Sequence, residues 1–310
     1  MYFFTDEERK FLVRGLLPKA REQGVADELR GWNWHQPPLA PIYELRLGVS
    51  EVASGYCPTA RDLYLRRVRG IRPPAGPAML RGTALHAAMV HVLVNAKRLI
   101  YHHGVAKHHI IVRELQELPG LDVEPYSKGL TPADKERLAS EAGVVADFEK
   151  ARVIARIQEC LVKQPYISED SLVNLAIPVV VEQKLDGSFL GLSSNLSADA
   201  LSFCEPLILD LKFGEQHKFH RLQTTGYALA MEAIYEFPVN LGCVVYAEIR
   251  NGRLVMRKDI HIIDDELRQW FIEARDDRMR MIHEEIDPGL PDECPDKCYC
   301  YEVCRLRIGG

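Results

Sequence analysis

Two aspartates and a lysine carry the first chemical suggestion in this chain. Asp199 lies in one short β-patterned segment and Asp210 in the next, with Lys212 two residues further on. Side chains two apart on a strand share a face, so Asp210 and Lys212 emerge together and a neighbouring strand can bring Asp199 beside them. Paired carboxylates offer hard oxygen ligands to Mg²⁺ or Mn²⁺. An adjacent ammonium can orient an attacking water or offset charge on a pentavalent phosphate. That is the minimum equipment for cutting a phosphodiester.

An Asp-x-Lys on its own is common on solvated sheet faces. Here it sits in Pro206-Leu-Ile-Leu-Asp-Leu-Lys-Phe, an apolar run in which unpaired charge is costly. Gln223 and Tyr227 follow, four apart and hence on one face of the next helix. His86 is a third element, in Leu85-His86-Ala87-Ala88-Met89. Such a histidine is ordinarily a hydrogen-bonded core or boundary residue. Its small neighbours would nevertheless let a strand edge and a metal approach closely.

The elements that must position these groups are legible from periodicity and caps. Thr5 caps a first helix, with Glu8 three residues later as in a capping box. Residues 31–38 are too rich in aromatics and prolines for regular structure and read as an ordered loop. Residues 47–69 read as a helical region carrying Cys57, and 79–100 as a further helix. Thr131-Pro132 opens a helix running to about Leu161, within a block, 101–172, that is mostly helical and bears no chemical motif. From Leu175 the pattern changes, and 176–184, 197–203 and 206–213 read as strands. A helix over 219–235 follows. Then comes a hairpin, 242–250 and 254–263, turning at Asn251-Gly252. Asp264 caps a last helix to Ile286, ended by Pro288-Gly289. Helix, strands, helix, strands, helix predicts an α/β sheet with helices on its faces.

Composition narrows the class. The chain has 310 residues, 47% hydrophobic and 27% charged, enough for one large or two modest globular domains. No apolar run reaches membrane-spanning length, and the start lacks a signal-peptide pattern, so the expectation is a cytoplasmic protein with no membrane partner. A net charge of −5 argues against a protein that coats nucleic acid by bulk electrostatics. Phosphate binding needs only a local basic patch. Arg61, Arg66, Arg67, Arg69, Arg72 and Arg81 could supply one, although a solvated basic helix face is the more common meaning of such a run.

Eight cysteines fall in two groups. Cys160, Cys204 and Cys243 lie in apolar segments and read as small buried hydrophobes. Cys57 and the tail set Cys294, Cys298, Cys300 and Cys304 suggest metal ligation in a reducing compartment. Four thiolates can hold a [4Fe–4S] cluster or a structural zinc, and spacing does not choose between them. Either would tie the tail to the segment around Cys57 across a loop of most of the chain.

In order, Gly82-x-x-x-His86, Ser197-Ala-Asp199, Asp210-Leu-Lys212 and Gln223-x-x-x-Tyr227 resemble the motifs of the RecB-type nucleases. With Cys57 and the tail cysteines they resemble the iron–sulphur subset of that group. The nearest likeness is to the CRISPR-associated RecB-like exonucleases of spacer acquisition. The segments Leu29-Arg-Gly-Trp-Asn-Trp and Leu47-Gly-Val-Ser-Glu-Val-Ala-Ser-Gly-Tyr-Cys57-Pro look like the large archaeal branch of that family.

The resemblance covers the chain except for 101–172 and implies a RecB or restriction-endonuclease-like core, a central mixed sheet flanked by helices. That core would span 81–100 and 173–286, with a helical insertion at 101–172 and an iron–sulphur lobe from 1–80 and 287–310. It implies that His86, Asp199 and Asp210 ligate Mn²⁺ or Mg²⁺ with the backbone carbonyl of Leu211. Lys212 would be catalytic, Gln223 and Tyr227 would contact substrate or support the site, and Glu182 would assist from the preceding strand.

Two departures stand out. The interval from His86 to Asp199 is long, and Asp210 stands where many members carry glutamate, though the family's pattern accepts either acid. The tail also lacks the family's usual pair of cysteines two residues apart. Cys57, Cys294, Cys298 and Cys304 are the preferred cluster ligands, with Cys300 as a possible substitute. The function so implied is trimming of single-stranded DNA ends beside the adaptation integrase. The rival readings are a non-catalytic iron–sulphur scaffold of the adaptation complex and a general DNA-repair nuclease of the same superfamily.

Overall fold

The computed structural model describes residues 1–202, 206–294 and 298–305. Cys204, expected as a buried hydrophobe, lies outside the described residues. Five strands form one mixed sheet in the order β1 (Val180–Leu185), β2 (Leu196–Ser202), β3 (Leu207–Lys212), β4 (Leu241–Arg250) and β5 (Arg253–Ile262). All neighbours are antiparallel except β3 and β4, which run parallel. A parallel pair needs a crossover, and helix α9 (His220–Tyr235) supplies it. The hairpin turns at Asn251 and Gly252, both at positive φ, as a tight primed turn requires.

Among the described residues, seven α-helices precede the sheet and an eighth leads into β1. Thr5 caps α1 (Asp6–Phe11) with Glu8 closing a capping box, and a π-helical turn joins it to α2 (Leu17–Gln23). Cys57 does not sit on a helix as expected. It lies in the loop between α3 (Val49–Ala53) and α4 (Arg61–Arg67), where Gly55 and Pro58 interrupt the helical pattern. Helices α5 (Pro77–His103), α6 (His108–Gln116), α7 (Pro132–Lys163) and α8 (Glu169–Ala176) follow. α8 displaces the start of the expected first strand. Ser168 caps it by accepting from the Ser171 amide, and β1 begins only at Val180. The last long helix, α10 (Asp265–His283), is capped by Asp264 and stops short of Ile286; α11 (Tyr301–Arg305) ends the described chain.

Alternation along β3 divides the molecule. Leu207, Leu209 and Leu211 join a core built with α5 to α8 and with the buried first residues Met1, Tyr2 and Phe3. Ile208 faces a second core formed with α3, α9 and α10. Residues 101–172 thus pack against the same core as one face of the sheet. A small third core joins Leu63, Tyr64 and Leu65 of α4 to Met281, Cys300 and Cys304. No helix among the described residues is long and apolar enough to cross a membrane.

Candidate functional site

The ladder between β2 and β3 stops at Ala200–Leu209. Beyond that pair, the Leu211 amide donates to Asp199 Oδ2 at 2.9 Å, so a carboxylate stands where a strand neighbour would have accepted. The site lies in this fork. Asp210 and Lys212 share the face of Ile208, which α9 covers, and α9 contributes Gln223 and Tyr227. His86 arrives from α5, whose neighbouring Leu85, Ala88 and Met89 belong to the first core. Its Nε2 lies 3.8 Å from Asp199 Oδ1.

Asp210 is fully buried, and Lys212 is its cation. The Lys212 ammonium lies 2.9 Å from Asp210 Oδ2 and donates to Oδ1 at 3.3 Å and to Gln223 Oε1 at 2.9 Å. The Tyr227 hydroxyl is within hydrogen-bonding reach of the same Gln223. Gln223 therefore fixes both a lysine and a tyrosine, which suits an amide with one acceptor and one donor end. Burial, reinforced by the charge of Asp199 and opposed by Lys212, pushes the Asp210 carboxyl up to about 7. Burial alone would lower Lys212, but the charges of Asp210 and Asp199 outweigh it and hold its ammonium above the usual lysine range. Two carboxylates share one ammonium here, leaving about one uncompensated negative charge in a buried fork.

Two buried polar atoms at or near this fork lack a hydrogen-bond partner, His86 Nε2 and the Tyr2 hydroxyl, while Asp210 Oδ2 meets the Lys212 ammonium only as an ion pair, without hydrogen-bond geometry. Burial, followed by the charges of Asp199 and Asp210, raises the Tyr2 phenol well above its ordinary value, which places Tyr2 near the carboxylates. Nothing in the sequence pointed to Tyr2, because a tyrosine in Met1-Tyr-Phe-Phe reads as core. Glu182 is the register partner of Asp199 by the pairing on either side, and it stands exposed on β1 at positive φ. Among the described residues, no three His, Cys, Asp or Glu side chains stand close enough together to hold a metal ion as they are. Donor chemistry fits a divalent cation all the same: two hard carboxylates, an unpartnered imidazole nitrogen and excess negative charge. Two surface concavities lie elsewhere, between α5 and β1 and between the first turns of α5 and α7.

Cys57 and the tail cysteines gather in a second region, where no three of the described thiols stand close enough together to hold a metal ion as they are. The charges of Cys57, Cys294 and Cys298 reach Cys304, and those of Cys57 and Cys294 reach Cys298. Cys300 lies in the same region, packed in one core with Cys304 and within reach of the charges of Cys304 and Cys298. Burial pushes its thiol up to about 12, and Tyr299 is hydrogen-bonded beside it. Cys243 is buried as expected, while Cys160 is only half-buried on the outer part of α7.

Four arginines of the basic run around Tyr64 are engaged by carboxylates, while Arg69 and Arg72 stand exposed. Arg61 makes a two-pronged pair with Asp287 at 2.9 and 2.8 Å and donates to the Cys304 carbonyl at 2.9 Å. Arg66 and Arg67 both pair with Glu51, and Arg81 pairs with Glu141. With Thr59 donating to the Gly289 carbonyl and Tyr299 to Asp62, these bonds strap the tail to the region of Cys57.

Residues 1–307 match the family described as CRISPR-associated exonuclease Csa1. A CRISPR-associated exonuclease Csa1 from Saccharolobus solfataricus is 32% identical over 303 residues, covering 98% of this chain and 99% of the relative. One from Thermoproteus tenax is 31% identical over 281 residues, covering 91% and 92%. The chain belongs to the CRISPR-associated exonuclease Csa1 family.

Proposed function

We propose that the chain is a metal-dependent deoxyribonuclease that trims single-stranded DNA ends during CRISPR adaptation, beside the adaptation integrase. The observation that carries this reading is the fork between β2 and β3. It brings His86, Asp199, Asp210, Lys212 and Gln223, from α5, β2, β3 and α9, to one half-buried spot around the buried Asp210 carboxylate. His86, Asp199 and Asp210 would hold Mn²⁺ or Mg²⁺. The Leu211 carbonyl would join them, since it points the same way as the amide that meets Asp199.

A divalent ion bound there supplies Lewis-acid charge at the phosphate and acidifies a water. The protein's own groups do the rest. Lys212, held by Gln223, presents a fixed positive charge where negative charge grows on the phosphate, without reorganising during the reaction. Tyr227 buttresses Gln223, and burial of the fork strengthens each electrostatic contact in it.

Cys57, Cys294, Cys298 and Cys304 would hold a [4Fe–4S] cluster, with Cys300 outside it. Support comes from the charge of Cys57 reaching Cys298 and Cys304, where none of the leading influences on Cys300 comes from Cys57. All residues of the nuclease motif are present in the sequence, which favours an enzyme over a scaffold.

The test is cleavage of end-labelled single-stranded DNA in Mn²⁺. Asp210→Ala and Lys212→Ala should each lower the rate by at least about a hundredfold, the scale expected for loss of one charged group from such a site. Cutting at the parent rate by both variants contradicts the assignment.

A further inference from the structure

The proposed nuclease site accounts for the carboxylates but leaves a ring cluster beside them without a role. Tyr56, His217, Phe219 and His220 stand in successive contact, with ring centroids 4.8–5.9 Å apart. His217 and Phe219 are stacked, with 14° between their planes. A cluster serving only as core would be buried. Tyr56 is instead 53% exposed, and His217 and Phe219 are half-buried.

The cluster is nonetheless built rigidly. His220 is the hub: its Nε2 meets the Tyr56 hydroxyl at 2.9 Å and its Nδ1 meets the Tyr246 hydroxyl at 3.0 Å. Tyr56 is thus pinned at its far end while its ring remains open to solvent. Gly55 lets Phe219 close in, because a Cβ there would stand 2.7 Å from the Phe219 ring. The cluster also adjoins the chemistry. Tyr246 is the register partner of Lys212, and the charges of Lys212 and Asp210 reach Tyr56.

We propose that Tyr56, His217 and Phe219 form a stacking wall for unpaired bases of a single-stranded DNA end, leading its phosphates to Asp210 and Lys212. Every base has a π-face, so such a wall accepts any sequence, as an end-trimming enzyme needs. Bases inside a duplex already stack on one another and cannot use it, so the wall selects unpaired strands. Exposed Lys218, between two of the rings, favours a phosphate backbone. This inference rests on the nuclease reading of the adjacent site.

The test measures affinity for a fluorescein-labelled oligothymidylate in EDTA, so that the strand stays intact. Tyr56→Ala should weaken binding about tenfold, within the range found for loss of one base–aromatic stack, and Tyr56→Phe should restore it. A strand of equal length with abasic sites should bind the parent about tenfold more weakly but lose little further affinity for Tyr56→Ala. Coinciding losses of this kind report stacking, and a merely structural role for Tyr56 would not produce them. His217→Ala gives the same reading should Tyr56→Ala fail to fold. Equal binding by the parent and Tyr56→Ala, or losses that simply multiply, would overturn the wall. If the parent still cuts DNA in Mn²⁺ in that case, the nuclease reading stands. A parent that neither binds nor cuts DNA removes both.

Discussion

His86 and Tyr2 present the same oddity at the scale of single residues: a buried polar atom with no hydrogen-bond partner beside the carboxylates of Asp199 and Asp210. For Tyr2 this has a direct consequence. An unsatisfied buried hydroxyl costs stability, so Tyr2→Phe should raise the stability of chelator-treated protein by about 1–3 kcal/mol, read from the urea midpoint. A loss of stability would mean that the hydroxyl has a partner. Most of the site was legible one residue at a time. Asp210 and Lys212 stood out because charge in an apolar run needs a reason, and Gln223 and Tyr227 because four residues make one helical face. Tyr2 was not legible, since only the tertiary fold carries the chain's start to the carboxylates. The basic run misled in the opposite direction. The partners of four of its arginines, Glu51, Glu141 and Asp287, are distant in sequence or on other elements, so these pairings cannot be read locally.

At the scale of elements, α9 organises the site, and two buried features hold it. Glu232 is fully buried and accepts from Arg30, from Arg268 at 2.7 and 2.9 Å, and from the Gly31 and Val239 amides. Glu232→Ala leaves two buried guanidinium groups unpaired and should cost about 3–5 kcal/mol in chemical denaturation. A cost below about 1 kcal/mol would show that the cluster is not what docks α9 to α10.

The seam between α9 and β5 adds a pH dependence. His261 is buried against Thr224 and the glycine backbone at Gly242, and burial lowers its pKa to about 4, against opposing pulls from Asp259 and Asp264. The unfolded chain protonates this histidine near pH 6.5 while the folded one resists until about 4. Stability should therefore fall as pH drops through that window, by up to about 3 kcal/mol, and His261→Gln should flatten the fall. An unchanged slope in the variant would assign it to other groups. Caps and turns made these elements readable: Thr5 with Glu8, Thr131 with Pro132, Asp264, and Asn251-Gly252. The entry to β1 was not, because Leu172, Val173 and Ala176 continue into the apolar residues of the strand and the weak cap at Ser168 gave the only break.

At the scale of the whole molecule, three cores meet a chain whose tail is strapped to the region of Cys57 by Arg61, Thr59 and Tyr299. The proposed cluster adds a covalent tie at the same place. Protein purified without oxygen should be brown and contain iron. Alanine at Cys57, Cys294, Cys298 or Cys304 should abolish the iron, and Cys300→Ala should retain it. Zinc in place of iron would make the site a structural four-thiolate centre, and loss of iron in Cys300→Ala would exchange its role with a neighbour's.

The central claim is that the fork between β2 and β3 holds a metal and cuts DNA with Lys212. It is tested most directly by measuring Mn²⁺ binding and single-strand cleavage together in the parent, Asp210→Asn and Lys212→Ala. The account predicts that the parent binds and cuts, that Asp210→Asn loses both, and that Lys212→Ala keeps the ion but loses at least about a hundredfold in rate. Undiminished cleavage by Asp210→Asn, or cleavage by the parent that survives full chelation, would contradict it.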